Sequence, residues 1–338
     1  MAQVSSVMPE RCRNDVWAVP ERCLNNPSGS LHKAGRRYGK IRFPMSDSST
    51  RGTGAGILLI LAAVCCFAAT DTLAKILTAH YPTLQLLSIR NWVHVMVIVL
   101  LGWPLLGRRL FQANNMRWQW QRGLLLLTCS FLAFTSLRFM PVAEFTALIF
   151  VAPLLVTLLA ARMLKERVSR ARWCAVGAGF IGVMLIIRPG SSLFGPAALM
   201  PLVLACLSAF FAILTRKYAR DDDALTTLFY TGLTGALVSS LAIPFVWVTP
   251  PLADWPALLA LGVIAAAGHY LFVLAFRRAP ASTLSPFSYA QLIFATLFGV
   301  LLLDAVPDRW SFIGMGVVVA SGLAAALLQR WEGRASAA

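Results

Sequence analysis

Charge is what this sequence has least of. Only 13% of its 338 residues are Asp, Glu, Lys or Arg, against 58% hydrophobic residues, and the mean hydropathy is +0.70. A soluble globular domain carries about twice that charge and fewer apolar residues. A disordered chain needs low hydrophobicity and is excluded as well. Acidic residues are scarcer still, 14 against 30 basic ones. Metal and nucleotide chemistry is equally thin. There is no Walker A pattern, no dinucleotide-type Gly-rich turn and no pair of His at metal spacing. Seven Cys show no metal or disulfide framework. Cys65, Cys66, Cys129, Cys174 and Cys206 lie in apolar runs, where a thiol behaves as a small hydrophobe. No cofactor and no metal are expected, and Asp221-Asp222-Asp223 reads as a solvated loop.

What the chain has is long hydrophobic runs. A membrane helix needs roughly 20 apolar residues. Ten runs near that length follow one another, at about 55–78, 83–106, 122–138, 143–163, 171–187, 195–217, 224–247, 255–276, 281–303 and 309–329. Strict apolar–polar alternation is absent, so a transmembrane β-barrel is not expected. Residues 1–54 are polar and Arg-rich and read as a disordered cytoplasmic tail, without the apolar core of a cleavable signal peptide. Met45, just before the first run, is a second possible start. Residues 331–338 read as a short cytoplasmic tail.

The net charge of +16 suggests nucleic acid on a soluble domain, but here topology explains it better. Cytoplasmic loops collect Lys and Arg. With the N-terminus inside, 25 of the 30 basic residues fall on inner segments and three, Arg138, Arg188 and Arg309, on outer ones. Lys75 and Arg90 lie within spans. Both termini are therefore expected in the cytoplasm, and the partners are a lipid bilayer and a small molecule, not nucleic acid. Trp118, Trp120, Trp173, Trp247, Trp255, Trp310 and Trp331 stand at expected span ends, where an indole can sit at the interface.

The two halves echo each other. Trp-x-x-x-Gly-x-Gly occurs at Trp173-Gly177-Gly179 and again at Trp310-Gly314-Gly316. Leu137-Arg138-Phe139-Met140-Pro141 parallels Phe276-Arg277-Arg278-Ala279-Pro280, and Lys75 can be laid on Lys217. Five spans per copy is an odd number, so the second copy enters the membrane inverted. The expected fold is all-α and polytopic, ten transmembrane helices in two inverted five-helix repeats, over 55–190 and 195–330. Inverted repeats are a recurring transporter design, with the site near the midplane between the halves. Pro153 and Pro286 can kink spans 4 and 9 there. Gly177, Gly179, Gly182, Gly314 and Gly316 read as close-packing surfaces.

Intramembrane charges are costly and face a cavity or a partner. Asp71 and Lys75 share a helix face, as do Arg90 and His94. Asp71 and Arg90 each lie about 10 Å below the outer ends of adjacent spans, by 1.5 Å per residue. They could bind substrate, carry a proton, or simply pair with each other. Glu144 could titrate, but reads more readily as a solvated entrance residue. His94 and His269, near mid-depth, could titrate near neutral pH, although a neutral His94 donating to a backbone carbonyl is the plainer reading. His269 and Tyr270 with Tyr289 and Gln291 form the candidate substrate lining. Lys75 and Arg90 would meet a carboxylate; Asp71 would meet an amine or a proton.

The ordered set Asp71-Thr-Leu-Ala-Lys75, Pro82-Thr-Leu-Gln-Leu-Leu-Ser-Ile-Arg90, Ala152-Pro153, Lys165-Glu166-Arg167, Arg188-Pro189-Gly190 and Ala279-Pro280-Ala281 resembles the EamA-type transporters of the drug/metabolite transporter superfamily. It covers about residues 55–330, and looks nearest to the branch with S-adenosylmethionine uptake carriers. The resemblance implies a secondary carrier of the inner membrane. It would move an amino acid or derivative, a nucleoside-like compound, a vitamin or a drug by alternating access, proton-coupled or not, as a monomer or homodimer, and not as an enzyme. An intramembrane enzyme on a lipid-linked substrate and a lipid flippase are the rival readings. The first would need a convergent cluster of acids or His. The second would need a groove open to lipid.

Overall fold

Long apolar runs must satisfy their backbone groups internally, and helices do so within one segment. The computed structural model describes residues 50–155, 169–188, 198–218, 222–279 and 281–335. Residues 1–49, most of the proposed tail, lie outside the described residues. Every regular element among the described residues is helical. In order they are α1 (Thr50–Leu77), α2 (Thr83–Leu106), α3 (Met116–Phe139), α4 (Val142–Ile149), α5 (Arg170–Ile186), α6 (Leu199–Tyr218) and α7 (Ala224–Ser240). Then come α8 (Trp255–Arg278), α9 (Ala281–Ser288), α10 (Ala290–Leu303) and α11 (Arg309–Ala335). Short helical turns at Gly107–Phe111, Ile243–Val246 and Leu252–Asp254 join them.

Local chemistry sets the ends. Asn115 accepts from the Trp118 amide at 3.1 Å and opens α3, six residues before its apolar run. Asp223 accepts from the Leu225 amide at 2.9 Å and opens α7, and Asp308 does the same for the Ser311 amide at 2.8 Å ahead of α11. These side chains take up donors that a helix start leaves unpaired. Asp304, at φ +50°, ends α10 in the left-handed region.

Among the described residues six helices are long and apolar enough to cross a membrane: Gly54–Leu77, Thr83–Phe111, Met116–Phe139, Leu252–Arg278, Pro286–Leu303 and Arg309–Leu328. Shorter apolar helices are Val142–Leu155, Trp173–Ile186 and Leu199–Phe211. The chain is thus a multi-pass membrane protein, and its spans are less uniform than ten equal runs. The run at 224–247 stops as α7 at Ser240, ahead of Pro244, and is rich in Thr and Ser. The run at 281–303 breaks at Tyr289, three residues after Pro286. The run at 143–163 turns at Phe150 and Val151, just before Pro153, and its part beyond residue 155 lies outside the described residues. A proline cannot donate to the carbonyl four residues back, which loosens the ladder at that point.

Packing pairs the helices across the chain. α1 lies against α8 and α3 against α6; α2 meets α7, and α5 meets α11. α2 also touches α8 and α3 touches α7, while α1 touches α10 and α4 touches α6. Exchanging each helix for its counterpart in the other half maps this set onto itself. The largest apolar cluster includes Leu86, Phe134, Leu137, Phe145, Leu148 and Leu258. Leu58, Met96, Leu100, Met184, Leu301 and Phe312 stay exposed, as a lipid-facing surface requires. Trp120, Trp173, Trp247, Trp310 and Trp331 are also exposed, whereas Trp118 is buried inside the protein.

Lipid tails are as apolar as leucine, so close approach of backbones matters more here than burial. α5 and α11 touch at Gly182 and Gly314. A Cβ on Gly182 would stand 2.9 Å from the Gly314 carbonyl oxygen, and one on Gly314 2.7 Å from that of Gly182. Gly179 is likewise filled by Leu154 and Ser321. Gly177 and Gly316, expected on the same surface, have nothing near their missing Cβ atoms and face away from it.

Polar clamps close both ends. At one, the Gln85 side chain donates to the Val248 carbonyl at 2.7 Å and accepts from the Val248 amide at 2.9 Å. Beside it Tyr81 donates to the Asp254 carboxylate. On the same end Arg188 pairs with Asp308 at 2.7 Å, joining the end of α5 to the start of α11. At the other end Asp222 accepts from the Asn114 amide at 2.6 Å and from Gln119 at 2.7 Å. The acidic run is therefore a tether at Asp222 and a helix cap at Asp223, not merely a solvated loop. Asp221 lies outside the described residues.

Two predictions follow from these contacts. Gly182→Leu is expected to cost about 1–3 kcal/mol by overpacking against rigid backbone, while Gly177→Leu stays near neutral; thermal unfolding of purified protein in detergent separates them. The Arg188 guanidinium and the Ser311 amide hold the Asp308 carboxyl down to about 2. A depressed carboxyl stabilises above its ordinary range, and that contribution fades as pH falls toward about 2. Asp308 is exposed, so Asp308→Asn is expected to cost under ~1 kcal/mol at neutral pH and to flatten the stability profile between about pH 4 and 2.

Candidate functional site

The ionisable groups buried at depth come from both halves and gather where α1, α2, α3, α7, α8 and α10 approach one another. Asp71, on α1, accepts from the Gln291 amide of α10 at 3.3 Å. Arg90, on α2, donates to Asn91 Oδ1 and to Ser130 Oγ of α3, both at 3.2 Å, and lies over the Phe134 ring at 5.4 Å. Asp71 and Arg90 interact through their charges but do not come within ion-pair distance of each other. Each is held instead by neutral partners, so the simple α1–α2 ion pair is not formed.

One turn deeper on α2, His94 is buried and hydrogen-bonds to the Leu228 backbone of α7. His269 of α8 meets it edge-on, with ring centroids 5.7 Å apart, and packs against Phe67 of α1 at 5.1 Å. The two histidines thus bridge the halves at mid-depth. Gly232 makes the approach possible, since a Cβ there would stand 2.7 Å from His94 Cδ2.

One central residue escapes the sequence reading. The charge count assigns Arg122 to the inner loop, because the apolar run of α3 starts beside it. The Asn115 cap starts the helix at Met116 instead, which carries Arg122 almost two turns inward. It donates to Thr231 Oγ1 of α7 at 2.5 Å and lies over the Phe211 ring at 4.9 Å. Its Nε is buried without a partner. Both Arg90 and Arg122 act electrostatically on His269. A polar residue at position 115 followed by Trp118 was the available signal for the earlier helix start.

The other expected residues disperse. Lys75 is half-exposed and donates to the Arg138 carbonyl at 3.3 Å, so it is spent on the end of α3 rather than on Asp71. Tyr270 packs on the apolar cluster around Leu228 and Phe229. Tyr289 stacks on Phe150 at 4.8 Å, its hydroxyl buried without a partner. His269 and Gln291 thus meet His94 and Asp71, whereas Tyr270 and Tyr289 pack on apolar neighbours. Glu144 is only 5% exposed, with Oε2 unpartnered, which overturns the reading of a solvated entrance residue. Its charged neighbour is Asp308. Among the described residues no three His, Cys, Asp or Glu come together as a metal site.

Comparison with known proteins places this geometry. The model of the EamA-like transporter family matches twice, over residues 54–188 and 195–326. A riboflavin transporter of Vibrio cholerae is 27% identical over 83% of this chain and 95% of its own. An S-adenosylmethionine uptake transporter of Rickettsia bellii is 28% identical over 60% and 69%. A pseudopaline exporter of Pseudomonas aeruginosa is 27% identical over 80% and 95%. One solved crystal structure covers 84% of this chain and 99% of its own at 23% identity, with a TM-score of 0.59, a likeness of fold.

The Asp71–Gln291 contact joins the halves and is testable by a double-mutant cycle. Gln291→Leu leaves a buried acceptor without its donor and is expected to cost about 1–3 kcal/mol. Combined with Asp71→Leu the cost should shrink by about 1 kcal/mol, measured as thermal unfolding in detergent.

Proposed function

The chain belongs to the EamA-like transporter family, and from that membership we propose that it is a secondary carrier moving a small organic metabolite across the inner membrane by alternating access. It is a transporter and not an enzyme. The carrying observation is the polar cluster of Asp71, Arg90, His94, Arg122, His269 and Gln291, with His94 buried and the others half-buried between helices of both halves. Charge at that depth is expensive, and a substrate path is what retains it.

The architecture that goes with this reading is two inverted five-span repeats, ten crossings in all, with both termini in the cytoplasm. The two family matches and the exchange symmetry of the packing pairs support it. So does the excess of Lys and Arg on one set of loops. Relatives named for uptake of S-adenosylmethionine, transport of riboflavin and export of pseudopaline support a metabolite, an amino-acid derivative, nucleoside-like compound or vitamin. They differ in direction and in chemistry, so neither comes with the family. Asp71 is the proposed coupling acid. It is the carboxylate of the cluster, and its Gln291 partner is neutral.

The test is uptake by purified protein in proteoliposomes, from a mixed pool of labelled metabolites, with and without an imposed pH gradient. Gradient-dependent accumulation that drops at least about tenfold in Asp71→Asn is the expected result, equivalent to ~1.4 kcal/mol at the rate-limiting barrier. Equilibration that ignores the gradient would remove Asp71 from coupling. Absence of flux for every compound would overturn the carrier reading.

A further inference from the structure

The cluster holds more positive charge than its own residues neutralise. Arg90 and Arg122 each rest on a phenylalanine ring and donate only to neutral oxygens, those of Asn91, Ser130 and Thr231. Two guanidinium groups stand against the single carboxylate of Asp71, which is itself engaged by Gln291. Lys75 is turned away toward Arg138. Among the described residues neither arginine has an acid within ion-pair distance. Both arginines are half-buried among apolar helices, where an uncompensated charge is unfavourable and a bound counter-charge relieves it.

The two arginines are also staggered. Arg90 meets α3 at Ser130, eight residues beyond Arg122 on the same helix, or about 12 Å along its axis. Arg90 lies nearer the end that carries the Gln85–Val248 clamp, and Arg122 nearer the end that carries Asp222. His94 and His269 lie between them, and Thr231, which holds Arg122, directly precedes Gly232 under the His94 ring. Each guanidinium keeps unused N–H donors in a planar fork suited to a carboxylate or phosphate.

We propose that the ligand is a small organic anion, and that Arg122 is its second binding residue, receiving the acidic group that Arg90 holds nearer the opposite face. This rests on the carrier reading above and names the substrate class of that site. The phenylalanines beneath the two guanidinium groups, with Phe67 against His269, favour a flat or apolar body behind the acid. A net cation would add to the uncompensated charge and is disfavoured.

The experiment uses the full chain in detergent and matched triads that differ only in one group: indole-3-acetate, indole-3-acetamide and tryptamine, then glutarate, glutaramide and 1,5-diaminopentane. Affinity is read from ligand-induced thermal stabilisation and from titration calorimetry. At least one carboxylate should bind about tenfold more tightly than its amide and amine, a difference of ~1.4 kcal/mol. Arg122→Gln should lose that preference, and Arg122→Lys should keep part of it. The wild-type triads decide the question even if Arg122→Gln fails to fold. Equal or better binding of the amides or amines would overturn the proposal. So would an Arg122→Gln variant whose carboxylate affinity stays within about twofold, or absence of carboxylate binding in both triads. Carboxylate binding without flux in proteoliposomes would keep the anion site and remove the carrier. Flux of an amine without the preference would do the reverse.

Discussion

A hydrocarbon interior offers no water to a polar group, and the arrangement of this protein answers that constraint almost everywhere. Thr70, Thr72, Thr231, Thr234 and Ser239 return their hydroxyls to carbonyls one turn back on their own helices. Arg90, His94 and Asp71 are met by amide, hydroxyl and backbone groups. Where the constraint is not met among the described residues, the unpartnered atoms are Gln119 Oε1, Arg122 Nε and Thr135 Oγ1 on α3, Glu144 Oε2 and Thr146 Oγ1 on α4, and the Tyr289 hydroxyl at the α9–α10 break.

The halves share a plan but not a chemistry. The helix pairings exchange cleanly, yet Asp71, Arg90, His94 and Arg122 all come from the first half, and His269 and Gln291 from the second. A duplicated scaffold thus presents a one-sided set of charges. Membrane association supplies little hydrophobic drive, so this asymmetry is tolerated only where glycines such as Gly232 let neutral partners come close.

The membrane class was legible from apolar run length, because the bilayer imposes it directly, and the two-copy organisation from the motifs that recur in each half; the ends and breaks of the helices were not, since caps and prolines set them. The site was legible only in part. Asp71, Arg90, His94 and His269 stood out as ionisable residues inside apolar runs. Arg122 did not, since the hydropathy of its run begins beside it while the helix begins at the Asn115 cap. The packing partners of Lys75, Tyr270 and Tyr289 were not legible, because facing is set by helix rotation against neighbours, which one sequence does not reveal. Glu144 illustrates the converse. Its position near a span end suggested water, and only the packing of α4 shows it enclosed.

The end clamps have a mechanical meaning. The Gln85–Val248 pair fastens α2 to the segment before α8 at one face, and Asp222 fastens the start of α3 to the start of α7 at the other. Of the four helices around the arginine and histidine groups, α2 and α8 are thereby fastened at one end and α3 and α7 at the other, like staves hooped alternately at the two rims. Such a cage resists splaying. Compliance is left to the staves without hoops, α4 and the α9–α10 pair, which touch each other and are both interrupted within a turn of a proline. The breaks of this fold are therefore gathered on one pair of neighbours, α4 and the α9–α10 rod, and away from the helices that the end contacts tie together.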